Sequence, residues 1–80
     1  MSELTLILSS TLRKYIEGYD PYTGHTMEFP LPATVKDVVK YFGIPHEGVH
    51  IIMVNNAHGT LDTPLTEKTR LALFPAVGGG

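Results

Sequence analysis

The 80-residue sequence contains no cysteine. That excludes a disulfide framework, thiolate zinc sites, and any cysteine nucleophile or persulfide. It also lacks an apolar run near the roughly 18 residues that span a bilayer, and the N-terminus has neither the basic start nor the cleavage site of a signal peptide. A soluble, cytoplasmic protein without a membrane partner is expected. Basic residues are few and dispersed: six Lys and Arg against eight Asp and Glu give a net charge of -2. No phosphate-backbone footprint follows, so nucleic acid is not an expected partner. Phosphate-cradling glycine motifs and the G-x-S-x-G nucleophile elbow are missing as well.

Four histidines (His25, His46, His50, His58) raise the question of a metal. Only His46 and His50 are spaced i, i+4, and Pro45 and Gly48 make that segment non-helical, so no metal site is expected. Glu47, Asp62 and Glu67 lie in polar turns, where solvated carboxylates are the ordinary case. No set of side chains supports catalysis on its own.

What is present is ordinary globular material, 42% hydrophobic and 18% charged. A chain this short buries only about 60% of the surface it exposes when unfolded, enough for one small core. Glu3 to Ser9 alternates with period 2, setting Leu4, Leu6 and Leu8 on one face and Thr5, Ile7 and Ser9 on the other, which predicts a strand. Ser10 to Gly24 breaks the pattern and reads as a loop with one short helical turn. Its tyrosines (Tyr15, Tyr19, Tyr22) are expected to cover the core with their hydroxyls in water, a contact surface being the alternative. His25 to Leu31 is a second strand, antiparallel to the first and stopped by Pro30 and Pro32.

Thr34 to Phe42 is the clearest helix. Val35, Val38, Val39 and Phe42 form an i, i+3, i+4, i+7 stripe, Thr34 and Asp37 suit the N-terminal cap, and Lys36 and Lys40 take the wet face. Gly43 is placed to close the helix in the left-handed conformation with Ile44 folding back on Val39, and Pro45 prevents continuation. Val49 to Asn55 is nearly continuously apolar and predicts a central strand covered on more than one side. Asn55 to Gly59 is a turn, Leu61 to Thr63 a short edge strand, Pro64 to Thr69 a tight turn or one turn of helix, and Arg70 to Phe74 the last strand. One helix on a mixed sheet of four to five strands is an α+β arrangement.

The closing residues, Leu71-Ala72-Leu73-Phe74-Pro75-Ala76-Val77-Gly78-Gly79-Gly80, are apolar and then glycine. Three glycines contribute nothing to a fold, but their thinness suits entry into a channel too narrow for side chains. Ala76 to Gly80 extended would reach roughly 17 Å. A body over residues 1–75 and a flexible tail over 76–80 are therefore expected, with a frayed end as the bland reading of the same glycines.

This order of elements, with Val54-Asn55-Asn56, Leu61-Asp62-Thr63-Pro64-Leu65-Thr66 and the closing run, resembles the ubiquitin-like β-grasp fold. It looks most like the sulfur-carrier branch, the small subunit of molybdopterin synthase and the thiamine sulfur carrier. Phe74-Pro75, Val77 and the terminal glycine pair favour the former. Two features depart from the pattern: Ala76 stands where that subunit usually has a second proline, and Ser10 to Gly24 is long.

The resemblance implies that a ubiquitin-activating-type enzyme adenylates the Gly80 carboxylate with ATP and that a sulfur donor system converts it to a thiocarboxylate. The tail, through Val77, Gly78 and Gly79, would then insert into the large catalytic subunit of molybdopterin synthase, with Phe74 and Pro75 at the partner interface. No cofactor is bound in this reading, and the catalytic side chains lie on the partners. Whether Phe74 or Leu73 is the exposed one is not settled by alternation. A ubiquitin-like modifier joined to lysines through Gly80, the thiamine pathway, and a plain binding module with an inert tail are the alternatives.

Overall fold

Strict alternation carries the strand β1 (Ser2–Leu8), which buries every second residue: Ser2, Leu4, Leu6 and Leu8. The same period returns in β5 (Lys68–Phe74), where Thr69, Leu71 and Leu73 are buried. In the computed structural model, which describes residues 1–76, these two strands lie parallel at the centre of a five-stranded sheet. β2 (His25–Phe29) pairs antiparallel with β1. β3 (Ile51–Val54) pairs antiparallel with β5 and carries the two-residue β4 (Ala57–His58), so the order is β2-β1-β5-β3-β4. The two polar residues of the buried face satisfy each other: Ser2 Oγ donates to Thr69 Oγ1 at 3.2 Å, and Thr69 Oγ1 donates on to the Thr66 carbonyl at 3.1 Å.

The helix α1 (Val35–Tyr41) buries Val35, Val38 and Val39 against this face and leaves Lys36 and Lys40 in water. Both ends form as their residues predict. The Thr34 N–H donates to Asp37 Oδ2 at 2.9 Å, so Asp37 plays the part usually taken by glutamate in a capping box. At the other end Gly43 has φ +71, and the Ile44 N–H reaches the Val39 carbonyl at 3.0 Å while Gly43 N–H reaches Lys40, the Schellman pair of bonds. Ile44 is buried there.

Two expectations are corrected. Leu61–Thr63 is not a strand; the short edge strand is β4, immediately after Asn55 and Asn56. Those two residues have φ +51 and +68, the left-handed pair that a two-residue hairpin loop demands and that asparagine tolerates better than other side-chain-bearing residues. The displaced segment has another use. The carbonyls of Leu61 and Thr63 accept the N–H groups of Lys36 and Val35 at 2.8 and 3.0 Å, satisfying first-turn donors that have no partner inside the helix. The second correction concerns β3, which lies inside the sheet between β5 and β4 as expected but is not covered on both faces: Ile51 is 39% exposed and Met53 half-buried. Its apolar run has a different cause, found on the uncovered face. The last strand also begins two residues earlier than its pattern predicts, at Lys68.

Candidate functional site at the root of the tail

The helix covers one face of the sheet, and the register defines what the other presents. Ile7 is the neighbour of Ala72, Ala72 of Met53, and Phe74 of Ile51, so these five residues share the uncovered face at the end where β5 finishes. All are half-buried except the exposed Ile51. Toward the opposite end the same face turns polar, with Thr5 and Arg70 and then Glu3 and Lys68 as register pairs. Phe74 thus belongs to the open face and Leu73, fully buried, to the closed one. That assignment needs the helix position, which alternation within β5 does not contain.

The strand end is held from both sides. The Ser9 N–H donates to the Leu73 carbonyl at 3.2 Å and the His50 N–H to the Phe74 carbonyl at 2.8 Å. The ladder stops there because Pro75, half-buried, has no N–H, and Ala76 beyond it is exposed. Of the residues singled out in the sequence, Phe74 and Pro75 therefore stand together at the point where the chain leaves the sheet. Val77, Gly78, Gly79 and Gly80 lie outside the described residues.

The Ser10–Gly24 excursion starts at this same end, and its local sequence does not disclose what it does. A 3-10 turn over Ser10–Tyr15 buries Leu12. The chain then returns so that Tyr19 Oη accepts the Leu8 N–H at 2.7 Å and Arg13 Nε–H donates to the Leu8 carbonyl at 3.1 Å. Leu8 has no partner on β2, whose pairing with β1 ends at Leu6 and His25; two side chains supply what a strand would. Contrary to expectation, then, the Tyr19 hydroxyl is engaged with the main chain, while Tyr22 is 95% exposed. Asp20 Oδ1 accepts the N–H groups of Tyr22 and Thr23 at 2.8 and 3.3 Å. These bonds, the one from Tyr22 foremost, hold the Asp20 carboxyl below its usual range. Gly24 closes the excursion at φ +80, where a Cβ would stand 2.5 Å from Ile7 Cδ1.

Among the described residues no three His, Cys, Asp or Glu side chains gather in a way that could hold a metal ion, and no helix is long and apolar enough to cross a membrane.

One helix laid across a mixed five-stranded sheet, with the first and last strands parallel at its centre, defines a ubiquitin-like β-grasp protein. A proposed molybdopterin converting factor, subunit 1, from Pyrococcus furiosus has the same fold: TM-score 0.68 over 96% of this chain and 100% of that one, at 19% identity. The sequence profile of the ThiS family matches residues 14–80, and the chain belongs to that family, the sulfur-carrier family its closing residues resemble. No curated protein matches it.

Proposed function

We propose that the protein carries sulfur on the carboxylate of Gly80. The observation that carries this reading is the apolar patch of Ile51, Met53 and Phe74 at the root of the tail, an uncovered surface on which, in this reading, a partner would rest while it takes up the residues that follow. Membership of the ThiS family, whose match runs through Gly80, supports it. In this reading a carboxylate oxygen of Gly80 attacks the α-phosphorus of ATP on an activating enzyme of the ubiquitin-activating type, and pyrophosphate leaves. Sulfide delivered by a donor system then attacks the acyl carbon, AMP departs, and a thiocarboxylate remains. Activation is needed because a bare carboxylate is a poor electrophile. The absence of cysteine leaves no side-chain thiol to carry the sulfur instead.

The acceptor we assign is a pterin precursor held by a large catalytic subunit of the molybdopterin synthase type, in the cytoplasm, where the thiocarboxylate tail inserts and the patch with Phe74 and Pro75 docks. Phe74-Pro75 and Val77 support this branch over the thiamine one. Intact-mass analysis after incubation with the activating enzyme, ATP and a sulfur donor tests the first part, the expected result being one terminal oxygen replaced by sulfur. An unchanged mass beside an enzyme shown to be active, or recovery of lysine-linked adducts alone, would overturn it. Transfer of that sulfur to a thiazole precursor and not to a pterin would move the protein to the thiamine branch.

A further inference from the structure

The outer edge of β2 is open, and its open groups can be named. On β1 the odd-numbered residues direct their main chain toward β5: the Glu3 N–H donates to Glu67 and the Ser9 N–H to Leu73. Even-numbered residues therefore face β2, where Leu4 and Leu6 stand opposite Met27 and His25. Thr26 and Glu28 must then turn their N–H and C=O groups away from the sheet, and among the described residues no strand or main-chain bond reaches them.

The two sides of this edge differ in chemistry. On the helix side an aromatic wall runs the length of the strand: the Tyr41 ring meets Phe29 at 5.6 Å and Phe42 at 4.9 Å, and Phe42 meets His25 at 5.8 Å. Tyr41 is nevertheless 64% exposed, more than its packing partners require. On the other side Glu28 stands directly opposite Glu3, an unfavourable pairing of like charges on neighbouring strands. With Glu67 they rim an open hollow of about 800 Å³, walled by Met1 and Leu31, in which Lys68 is the one cationic side chain and the Met1 α-ammonium the other positive group among the lining residues. Three carboxylates against two ammonium groups leave this side negative by one charge.

We propose that the β2 edge takes up an extended peptide segment of a partner protein as a sixth strand. Its alternate residues are apolar toward Tyr41 and Phe42, and lysine or arginine toward Glu28 and the hollow. Main-chain bonds to Thr26 and Glu28 supply the docking, and the two flanks supply the selectivity. A second copy of this chain fits less well. Pairing Thr26 with Glu28 of that copy would set Glu3 and Glu28 of both on one face, four carboxylates together. The hollow lies where β1 and β5 begin, at the far end of the sheet from Phe74, so the segment can be held while the tail is engaged elsewhere. The inference does not depend on the sulfur-carrier reading.

The test titrates the isotope-labelled full chain with acetyl-Val-Lys-Val-Lys-Val-amide and with the same peptide carrying Glu for Lys. The basic peptide is expected to shift the Thr26 and Glu28 amides, slow their hydrogen exchange, and bind about tenfold more tightly than the acidic one. Glu28→Lys, at an exposed position and checked by its melting curve, is expected to reverse the preference, and Glu28→Gln to weaken the basic peptide about threefold. Equal binding of the two peptides, shifts gathered at Ile51 and Phe74, or dimerisation through β2 without peptide would each overturn the proposal.

Discussion

The two faces of β5 are made by one strand and answer to different demands. On the helix side Thr69, Leu71 and Leu73 are fully enclosed, and every one of them either packs in the core or has its hydroxyl satisfied. On the other side the row runs from Lys68 and Arg70 to Ala72 and Phe74, charged at one end and apolar at the other, and the apolar end remains uncovered. Burial explains the first face completely. It does not explain Phe74 beside Ile51, and it is on this apolar surface that the proposed docking rests.

The sharpest way to break the comparison is to truncate matched positions. Leu71→Ala opens a cavity in the closed face and is expected to cost about 3 kcal/mol in urea unfolding. Phe74→Ala, half-buried, should cost well under half of that. If the two losses are equal, the open face is core and the docking argument fails. Ile51→Asp sharpens the other side. Stability is expected to change by less than about 1 kcal/mol, while affinity for the activating enzyme, followed by calorimetry, falls about tenfold or more.

A smaller effect probes the excursion that abuts this face. Tyr19→Phe removes the acceptor of the Leu8 N–H and is expected to cost about 1 kcal/mol, with faster hydrogen exchange at Leu8. An unprotected Leu8 amide in the unaltered protein would contradict the bond itself. The smallest effect is set by pH. Because the folded carboxyl of Asp20 lies below its unfolded value of 3.8, the folded loop binds that proton less readily. Its contribution is therefore complete above that value and disappears as pH falls through the lower folded one. Amide shifts of Tyr22 and Thr23 should move only in that acid range, and Asp20→Asn should abolish the movement.

The local caps of the helix were legible in the sequence at both ends, since Thr34 with Asp37 and Gly43 with Ile44 act within a few residues of one another. β1 and β2 were legible from alternation. What failed was whatever depended on a distant neighbour. The run from Val49 to Asn55 looked doubly buried because an apolar residue on an open face and one in the core are the same letter. Leu61 and Thr63 offered no sign that their carbonyls would serve a helix some 25 residues upstream in the chain, Lys36 to Leu61. Tyr19 likewise shows its role only once Leu8 is found to lack a strand. The tail was the most conspicuous feature of the sequence, but Val77 to Gly80 lie outside the described residues; the body shows the patch at its root.

The parallel pairing of β1 with β5 has a consequence in time. Its register joins Glu3 to Lys68, and 68 − 3 = 65 residues of chain must be gathered before that contact forms. Pairings so distant in sequence slow folding, and here they lie at the middle of the sheet and cannot be deferred to its margin. On a ribosome, the first strand has to wait for the last. A chain broken off before Lys68 lacks the strand that joins β1 to β3 and has no centre around which to condense. The open face itself, built from Ile7, Ala72, Met53, Phe74 and Ile51, exists only once the first and last strands have met.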